Sequence, residues 1–373
     1  VHKSKRKIPA GTTALSGRYL DYASGTEANP SALHELGAAE KRKLEDARAR
    51  VAKVLGAHPD EIIFTSGGTE SNNLAVLGMP PGVMVTTNIE HASVLEPAKK
   101  RKAVFMPVGE TGLIDSRKIR AALSRNTILI SVMYANNEIG TIQPLREIAK
   151  EIRHWNKNRR NKIYFHTDAV QAVNYLQLGV EKLGVDMLSL NAAKIYGPRG
   201  IGALYVRRGT PLGPILLGGE QERGLRPGTE NVAGATALAE CLEQAEKIKK
   251  SEVKRLTTLR DYFARQLTAR FNLAVNGDLT KRLPNNVNIT VPGIPSDLLV
   301  LELSARGIYA SAKSACKSGD GKASHVVAAI NPKIKDTDGS LRFSLGRETK
   351  KSDIDYTLKA LSEILKKLKK WYI

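Results

Sequence analysis

Cysteine is scarce in this 373-residue sequence: only Cys241 and Cys316 occur. Two thiols exclude a disulfide framework, and they do not stand at zinc-ligand spacing, so no metal site is expected. A reducing compartment, the cytoplasm, is the natural expectation. Long apolar runs are missing as well. No stretch approaches the ~18 to 20 consecutive apolar residues that cross a bilayer. No apolar run follows the basic start Val1-His2-Lys3-Ser4-Lys5-Arg6-Lys7, so neither a membrane span nor a secretory leader is expected. Internal repeats and low-complexity linkers are absent. Acidic residues are few beside basic ones, 37 against 58, which leaves a net charge of +21. Such a field attracts nucleic acid or acidic proteins. The basic clusters at 3–7, 99–102, 157–162 and 366–370 nevertheless lack interleaved aromatics and match no nucleic-acid module. Solvated lysine faces account for them better, and direct nucleic-acid binding is not expected.

What is present is strand–helix alternation. Glu61–Phe64, Val83–Val85, Thr127–Met133, Lys162–Phe165, Met187–Leu190 and Ala203–Val206 read as strands. Glu35–Leu55, Leu145–Asn156 and Ala169–Tyr175 carry helical patterns between them. This order predicts an α/β domain with a mostly parallel sheet. From Val232 a long helical pattern runs to Arg270. A strand follows at Asn286–Val291, a helix at Ser296–Ala305, a strand at Leu341–Ser344 and a basic helix from Ser352. The expected organisation is an arm at 1–17, a large α/β domain at 18–250 and a smaller α+β domain at 251–373, divided inside the long helix.

Three segments carry candidate chemistry. Phe64-Thr65-Ser66-Gly67-Gly68-Thr69-Glu70-Ser71-Asn72-Asn73 leads a strand through a Gly-Gly turn into a helix starting at Thr69. A helix N-terminus offers unpaired N–H groups and the positive dipole end to phosphate. Gly68 would let backbone approach the anion, and the Thr69 hydroxyl would add a donor. A plain capped turn explains the same residues equally well. Asp168 ends an apolar strand, where α/β sheets place ligands. It suits pairing a cation, binding a metal or capping the next helix. Lys194 follows another apolar strand and precedes Gly197-Pro198-Arg199-Gly200. Lysines prefer solvent, so desolvation in a crevice would make this one a Schiff-base amine. An ordinary loop lysine is the alternative. Asp168 and Lys194 stand 26 residues apart (168 to 194), one strand–helix–strand step, which brings both to one crevice. Pyridoxal phosphate (PLP) chemistry needs that pair: a lysine for the aldehyde and an aspartate to keep the ring nitrogen protonated.

Further segments complete a pattern: Glu90-His91, Asn136-Asn137-Glu138-Ile139-Gly140, Glu222 to Asn231, Ser314-Ala315-Cys316 and Leu341 to Arg347. Together, from Tyr19-Leu20-Asp21 to the C-terminal helix, the sequence resembles the NifS/IscS-type cysteine desulfurases, class V aminotransferase-like PLP enzymes. The resemblance implies the PLP-dependent transferase fold type I, with a seven-stranded-type sheet. It implies conversion of L-cysteine to L-alanine with transfer of sulfur to Cys316 as a persulfide. By the same resemblance Lys194 is the Schiff-base lysine and Asp168 pairs the ring nitrogen. His91 stacks on the ring and moves protons, a task its near-neutral titration suits. Asn137 and Gln171 bond the ring hydroxyl side, and Gly68 and Thr69 hold the phosphate. Thr229 reaches the cofactor of a second subunit, which implies a homodimer. Arg342 grips the substrate carboxylate as a planar fork. Asn137 also lines the substrate side.

The Cys316 neighbours Ser311 to Ser314 and Lys317 to Gly321 are small and polar, which reads as a mobile loop, and Lys313 and Lys317 favour the thiolate. Cys241, inside an apolar helix, reads as packing. The 26 residues from Cys316 to Arg342 resemble the long-loop housekeeping branch. The implied sulfur acceptors are an iron–sulfur scaffold protein or a tRNA-thiolation enzyme. Two features depart from the family. Asp21 to Ala28 runs straight into Asn29-Pro30-Ser31-Ala32-Leu33-His34, roughly one helix short. Ala193 stands where the family carries His or Ser, which removes one phosphate donor and predicts weaker PLP retention. A selenocysteine lyase or other class V lyase or aminotransferase stays open, as does a catalytically weak PLP-binding scaffold. Cys316 speaks against an aminotransferase. Intact Lys194, Asp168, His91, Cys316 and Arg342 speak against the scaffold.

Overall fold

Seven strands form one sheet in the order β1-β7-β6-β5-β4-β2-β3 in the computed structural model, which describes residues 18–157, 159–312 and 324–372. The arm expected at 1–17 and the loop expected around Cys316 lie outside the described residues. The strands are β1 (Ile62–Thr65), β2 (Val83–Thr87), β3 (Ala103–Met106), β4 (Thr127–Ser131), β5 (Tyr164–Asp168), β6 (Met187–Asn191) and β7 (Gly202–Val206). Neighbours from β3 through β2, β4 and β5 to β6 pair in parallel. β7 pairs antiparallel with both β6 and β1, so β1 runs in the same sense as β6. The carboxyl ends of β1, β2, β4, β5 and β6 therefore share one edge of the sheet.

Helices cover both faces, and the strands alternate between them. Ile62 and Phe64 of β1 and Val85 of β2 face a cluster built with α1 (Glu35–Leu55), α4 (Ser116–Ala122), α5 (Leu145–Asn156), α6 (Val180–Leu183) and the start of α7 (Val232–Phe271). Ile63 and Met84 face the opposite cluster with α2 (Gly68–Leu77) and α3 (Ala92–Lys100). This period of two, with both faces covered, explains why the strands read as continuous apolar runs. A second body follows. β8 (Ala274–Val275), β9 (Asn286–Val291) and β10 (Gly339–Ser344) form an antiparallel sheet in the order β10-β9-β8. α8 (Ser296–Ser304), α10 (Lys351–Tyr372) and the second half of α7 supply its apolar cluster. α9 (His325–Ile330) packs elsewhere, against Ile89, Met133 and Ile139. Across its 40 residues α7 contributes to both main clusters, Val232 to Leu242 to the first and Leu256 to Leu267 to the second.

Several expected elements shift for local reasons. Ala169–Tyr175 is a run of turns and not a helix. Asp168 Oδ1 takes the Val170 N–H, and Ala172 and Tyr175 bond back three residues to Ala169 and Ala172. A segment this short, with β-branched Val170 and Val173, does not repay helix nucleation. Glu61 leaves the first strand because its carboxylate accepts the His58 and Arg208 N–H groups. β4 stops at Ser131 because the Met133 N–H turns to the Glu90 carboxyl. β3, α3, α4 and α6 had no counterpart in the elements read from the sequence. Between Asp21 and Glu35 the described chain holds a single 3-10 turn, Tyr22–Ser24.

Candidate active site

Gly68 and Thr69 follow β1, His91 follows β2, Asn137 follows β4, Asp168 ends β5 with Gln171 just beyond, and Lys194 follows β6. The sheet thus brings seven expected site residues to one edge. Gly67 (φ +148°) caps α2 without a side-chain acceptor, so no side-chain cap covers its first-turn N–H groups. The turn is tightly enclosed. A Cβ at Gly68 would lie 2.8 Å from Val170 Cγ2, and one at Gly202 would lie 2.6 Å from Gly67 Cα. Backbone alone fits there, as anion binding at a helix N-terminus requires.

Asp168 is 7% exposed. Asn72 Nδ2 donates to its Oδ2 at 2.7 Å and the Val170 N–H to its Oδ1 at 3.0 Å. Burial pushes this carboxyl above its ordinary range, against those two bonds and the favourable field of His91. The same Asn72 amide donates to Ser93 Oγ at 2.8 Å, and Ser93 Oγ lies 2.7 Å from His91 Nδ1. The Ser93 N–H also donates to Nδ1 at 3.1 Å, which assigns the acceptor role to Nδ1 and leaves the proton of the neutral ring on Nε2. His91, Ser93, Asn72 and Asp168 form one connected row. Beneath it, His166 lies between Ser131 Oγ (2.8 Å) and Ser189 Oγ (3.0 Å), and full burial lowers its pKa to about 3. Glu90, also fully buried, accepts from Thr87 Oγ1 at 2.6 Å and from the Met133 N–H, yet burial raises its pKa to about 8.

Arg342 reaches this edge from β10 of the small sheet. Its Nη1 donates to the Asn137 carbonyl at 3.1 Å, while its Nε is buried without a partner among the described residues. Burial lowers the guanidinium's pKa and the Glu138 carboxylate opposes that. A forked cation with an unused buried N–H is suited to receive a carboxylate.

The family profile described as Aminotransferase class-V matches residues 10–357. The chain is 42% identical over 380 residues to the cysteine desulfurase IscS of Dictyoglomus turgidum, covering 94% of this chain and 95% of that protein. It is 41% identical to the cysteine desulfurase IscS of Methanosarcina thermophila, covering 94% and 88%. The chain belongs to the class-V aminotransferase family. Among solved structures, a NifS-like protein superposes with a TM-score of 0.84 at 34% identity, covering 92% of this chain and 93% of that one.

Within this class-V frame two expected site residues are exposed. Lys194 ends a short turn, Ala192–Lys194, and its side chain is exposed, so the desolvated crevice lysine is not what the described residues form. No hydrogen bond or ion pair engages its Nζ among the described residues. Thr229 is exposed on the loop before α7, a loop tied to the α2 N-terminus through Arg226 Nε and Glu70 Oε1 at 3.1 Å. Gln171 is half-buried beside Asp168 in sequence. Cys316 lies outside the described residues. Sequence reading gave no role to Asn72, Ser93 or Glu138. One signal could have found Asn72: Ser71 and Asn72 are polar residues on the helix face that the pattern buries, and they are 0% and 1% exposed.

Proposed function

We propose that this chain is a PLP-dependent cysteine desulfurase that converts L-cysteine to L-alanine and leaves the sulfur on Cys316 as a persulfide. The observation that carries the reading is a pair of mismatched buried groups at one sheet edge: among the described residues, the Asp168 carboxyl is bonded only by neutral donors and the Arg342 Nε has no partner. A protonated ring nitrogen suits the first and a substrate carboxylate the second. The α2 N-terminus with Gly68 and Thr69 would hold the phosphate, His91 the ring face, and Asn137 and Gln171 the ring hydroxyl side. Lys194 would hold the aldehyde, and its free, exposed amine supports that role. When bound, PLP supplies the electron sink that makes the substrate Cα proton acidic and weakens the C–S bond.

The remaining work falls to the chain. Arg342 fixes the substrate carboxylate as a two-point clamp. His91, oriented by Ser93, offers Nε2 for proton movement at the sulfur side, and the Lys194 amine would carry the Cα proton. The Cys316 thiolate attacks the substrate sulfur. The new S–S bond forms as C–S breaks, the β-carbon keeps the electron pair of that bond and takes a proton, and the Cα proton carried by Lys194 goes back to Cα, which completes alanine. The exposed Thr229, with exposed Leu20, Tyr22, Leu33 and Leu217, supports a homodimer in which Thr229 serves the other subunit's cofactor. The sulfur then passes to an acceptor of the iron–sulfur scaffold or tRNA-thiolation kind, in a reducing cytoplasm. No helix among the described residues is long and apolar enough to cross a membrane. The test is direct. The purified protein is loaded with PLP, L-cysteine is added, and alanine and protein-bound persulfide are measured with and without Cys316→Ala. The parent should form both, and the variant should lose the persulfide. A variant making both at the parent rate refutes the proposal.

A further inference from the structure

Tyr196 stands two residues after Lys194 with a left-handed backbone, φ +67°. A bulky side chain resists that conformation and keeps it only where its surroundings impose it. Both flanks do so here. The Ala192 carbonyl accepts the N–H groups of Ile195 and Gly197, each at 2.9 Å, which closes the chain around Tyr196. Ile195 is buried, and the Lys194 carbonyl accepts from Asn174 Nδ2 at 2.8 Å. A Cβ at Gly197 would lie 3.1 Å from Cys241 Sγ, so the turn lies close against α7. The Tyr196 ring is left 53% exposed, yet it is engaged. The Arg347 guanidinium lies over it, with Cζ 4.0 Å from the ring centroid, and its hydroxyl accepts the Arg347 N–H at 3.0 Å. A Cβ at Gly346 would lie 3.2 Å from that hydroxyl, so a glycine permits the close approach of the loop.

Arg347 belongs to the loop that leaves β10, five residues beyond Arg342 (342 to 347). The carbonyls of this loop are held from α7. Arg255 Nη1 donates to the Thr349 carbonyl at 2.7 Å, and its Nη2 to those of Gly346 and Arg347 at 2.8 and 3.0 Å. Glu252 holds Arg255 through two bonds of 2.9 Å. α7 thus meets the Lys194 turn at Cys241 and the Arg342 loop at Arg255, roughly 20 Å farther along its axis. The helix links the two segments indirectly, and the Tyr196–Arg347 contact links them directly. We propose that Tyr196 is a positioning residue: by clamping Arg347 it sets the spacing between Arg342 and the aldehyde carbon that Lys194 holds. An amino acid carries its amine and its carboxylate on one carbon, so both are captured together only when that spacing is right. The left-handed φ is retained because it delivers the ring to Arg347.

The inference rests on reading Lys194 and Arg342 as the two anchors of one amino acid, and the experiment separates it from the desulfurase reading. PLP-loaded parent, Tyr196→Ala, Tyr196→Phe, Arg347→Ala and the Tyr196→Ala/Arg347→Ala double variant are titrated with L-alanine and with ethylamine, which is alanine without its carboxylate. The absorbance change of the bound cofactor reports each dissociation constant. Tyr196→Ala loses a cation–π contact and a hydrogen bond, so L-alanine should bind about tenfold more weakly while ethylamine binds as before. Tyr196→Phe keeps the stack and should lose only about threefold. Arg347→Ala removes the same contact from the other side, and the double variant should be no weaker than either single one. A merely structural lesion in the Lys194 turn would weaken both ligands alike. Parent-like L-alanine binding in Tyr196→Ala, equal weakening of both ligands, or additive losses in the double variant overturns the role of Tyr196. A parent that binds L-alanine but makes none from L-cysteine brings down the desulfurase reading, and the titrations still decide Tyr196. A parent whose cofactor absorbance ignores L-alanine brings down both.

Discussion

Glu90→Gln should make the cofactor-free protein more stable at alkaline pH while leaving it unchanged at acidic pH. Glu90 is 0% exposed, and its folded pKa is about 8 against an ordinary 4.5, chiefly because burial penalises the charge. A carboxyl whose pKa is raised on folding contributes stability that is complete below its unfolded pKa and is lost as pH rises through the folded one. The window therefore runs from about 4.5 to about 8. At 1.36 kcal/mol per pKa unit, roughly 3 kcal/mol is lost by pH 7 and about 4 by pH 8. The substituted amide would keep an acceptor for the Met133 N–H and the Thr87 hydroxyl and carry no charge at any pH. Urea denaturation of both proteins at pH 5, 7 and 8 reads the difference. Asp168 shifts in the same direction and stays in both proteins, so the gap between the two curves reports Glu90 together with its repulsion of Asp168. Parallel curves from pH 5 to pH 8 would refute the reasoning, because they would mean that Glu90 is already charged in the folded protein.

Asn72→Ala removes one donor from the buried Asp168 carboxylate and disconnects Ser93. A hydrogen bond to a charged group is worth ~1.5–3 kcal/mol, so the PLP dissociation constant should rise about 10- to 150-fold in an absorbance titration, and an unchanged constant would sink the role given to Asn72. Ala193→His supplies the phosphate donor whose loss the resemblance implies. Its PLP affinity should rise by a comparable factor, and a parent that already retains PLP tightly, with no gain in the variant, would contradict the expectation.

The sheet was legible because β-strands with both faces covered give short continuous apolar runs, and six of its seven strands were read to within three residues. β3 was missed: it is short, its Val104 and Phe105 are exposed, and its run is interrupted by charge on one side. The helix read at Ala169–Tyr175 was wrong because side-chain capping by Asp168 decides that segment, and apolar spacing does not register it. At the site, Asp168 was legible as a polar residue ending an apolar run. Lys194 was found by the same signal, but the physical reason offered for it failed, since the side chain is exposed. Glu138 and Ser324 were not legible as partners. They are 186 residues apart, and each alone reads as an ordinary turn residue and helix cap.

The buried groups around Asp168 argue for a cationic ligand more firmly than the Asp168–Lys194 spacing did. A buried carboxylate ordinarily finds an internal arginine or lysine, or gives up its charge. Here no arginine or lysine among the described residues bonds the Asp168 carboxyl. His166, in the same strand, is kept neutral by a pKa of about 3. Asn72 and the Val170 N–H contribute dipoles and no charge. Glu90, raised to about 8, is protonated at neutral pH and so adds no second negative charge that would force Asp168 to accept a proton. Of the titratable groups acting on Asp168, His91 favours the ionised form. Such an arrangement is costly for the empty protein and becomes favourable when a protonated ring nitrogen enters. Cofactor loading should therefore stabilise this chain most at the pH values where the free protein suffers most from its buried carboxyls. A thermal-shift series from pH 6 to pH 9, with and without PLP, measures that dependence. A cofactor-induced shift that shrinks steadily as pH rises through this range, with PLP still bound, would show that Asp168 finds its counter-charge within the protein.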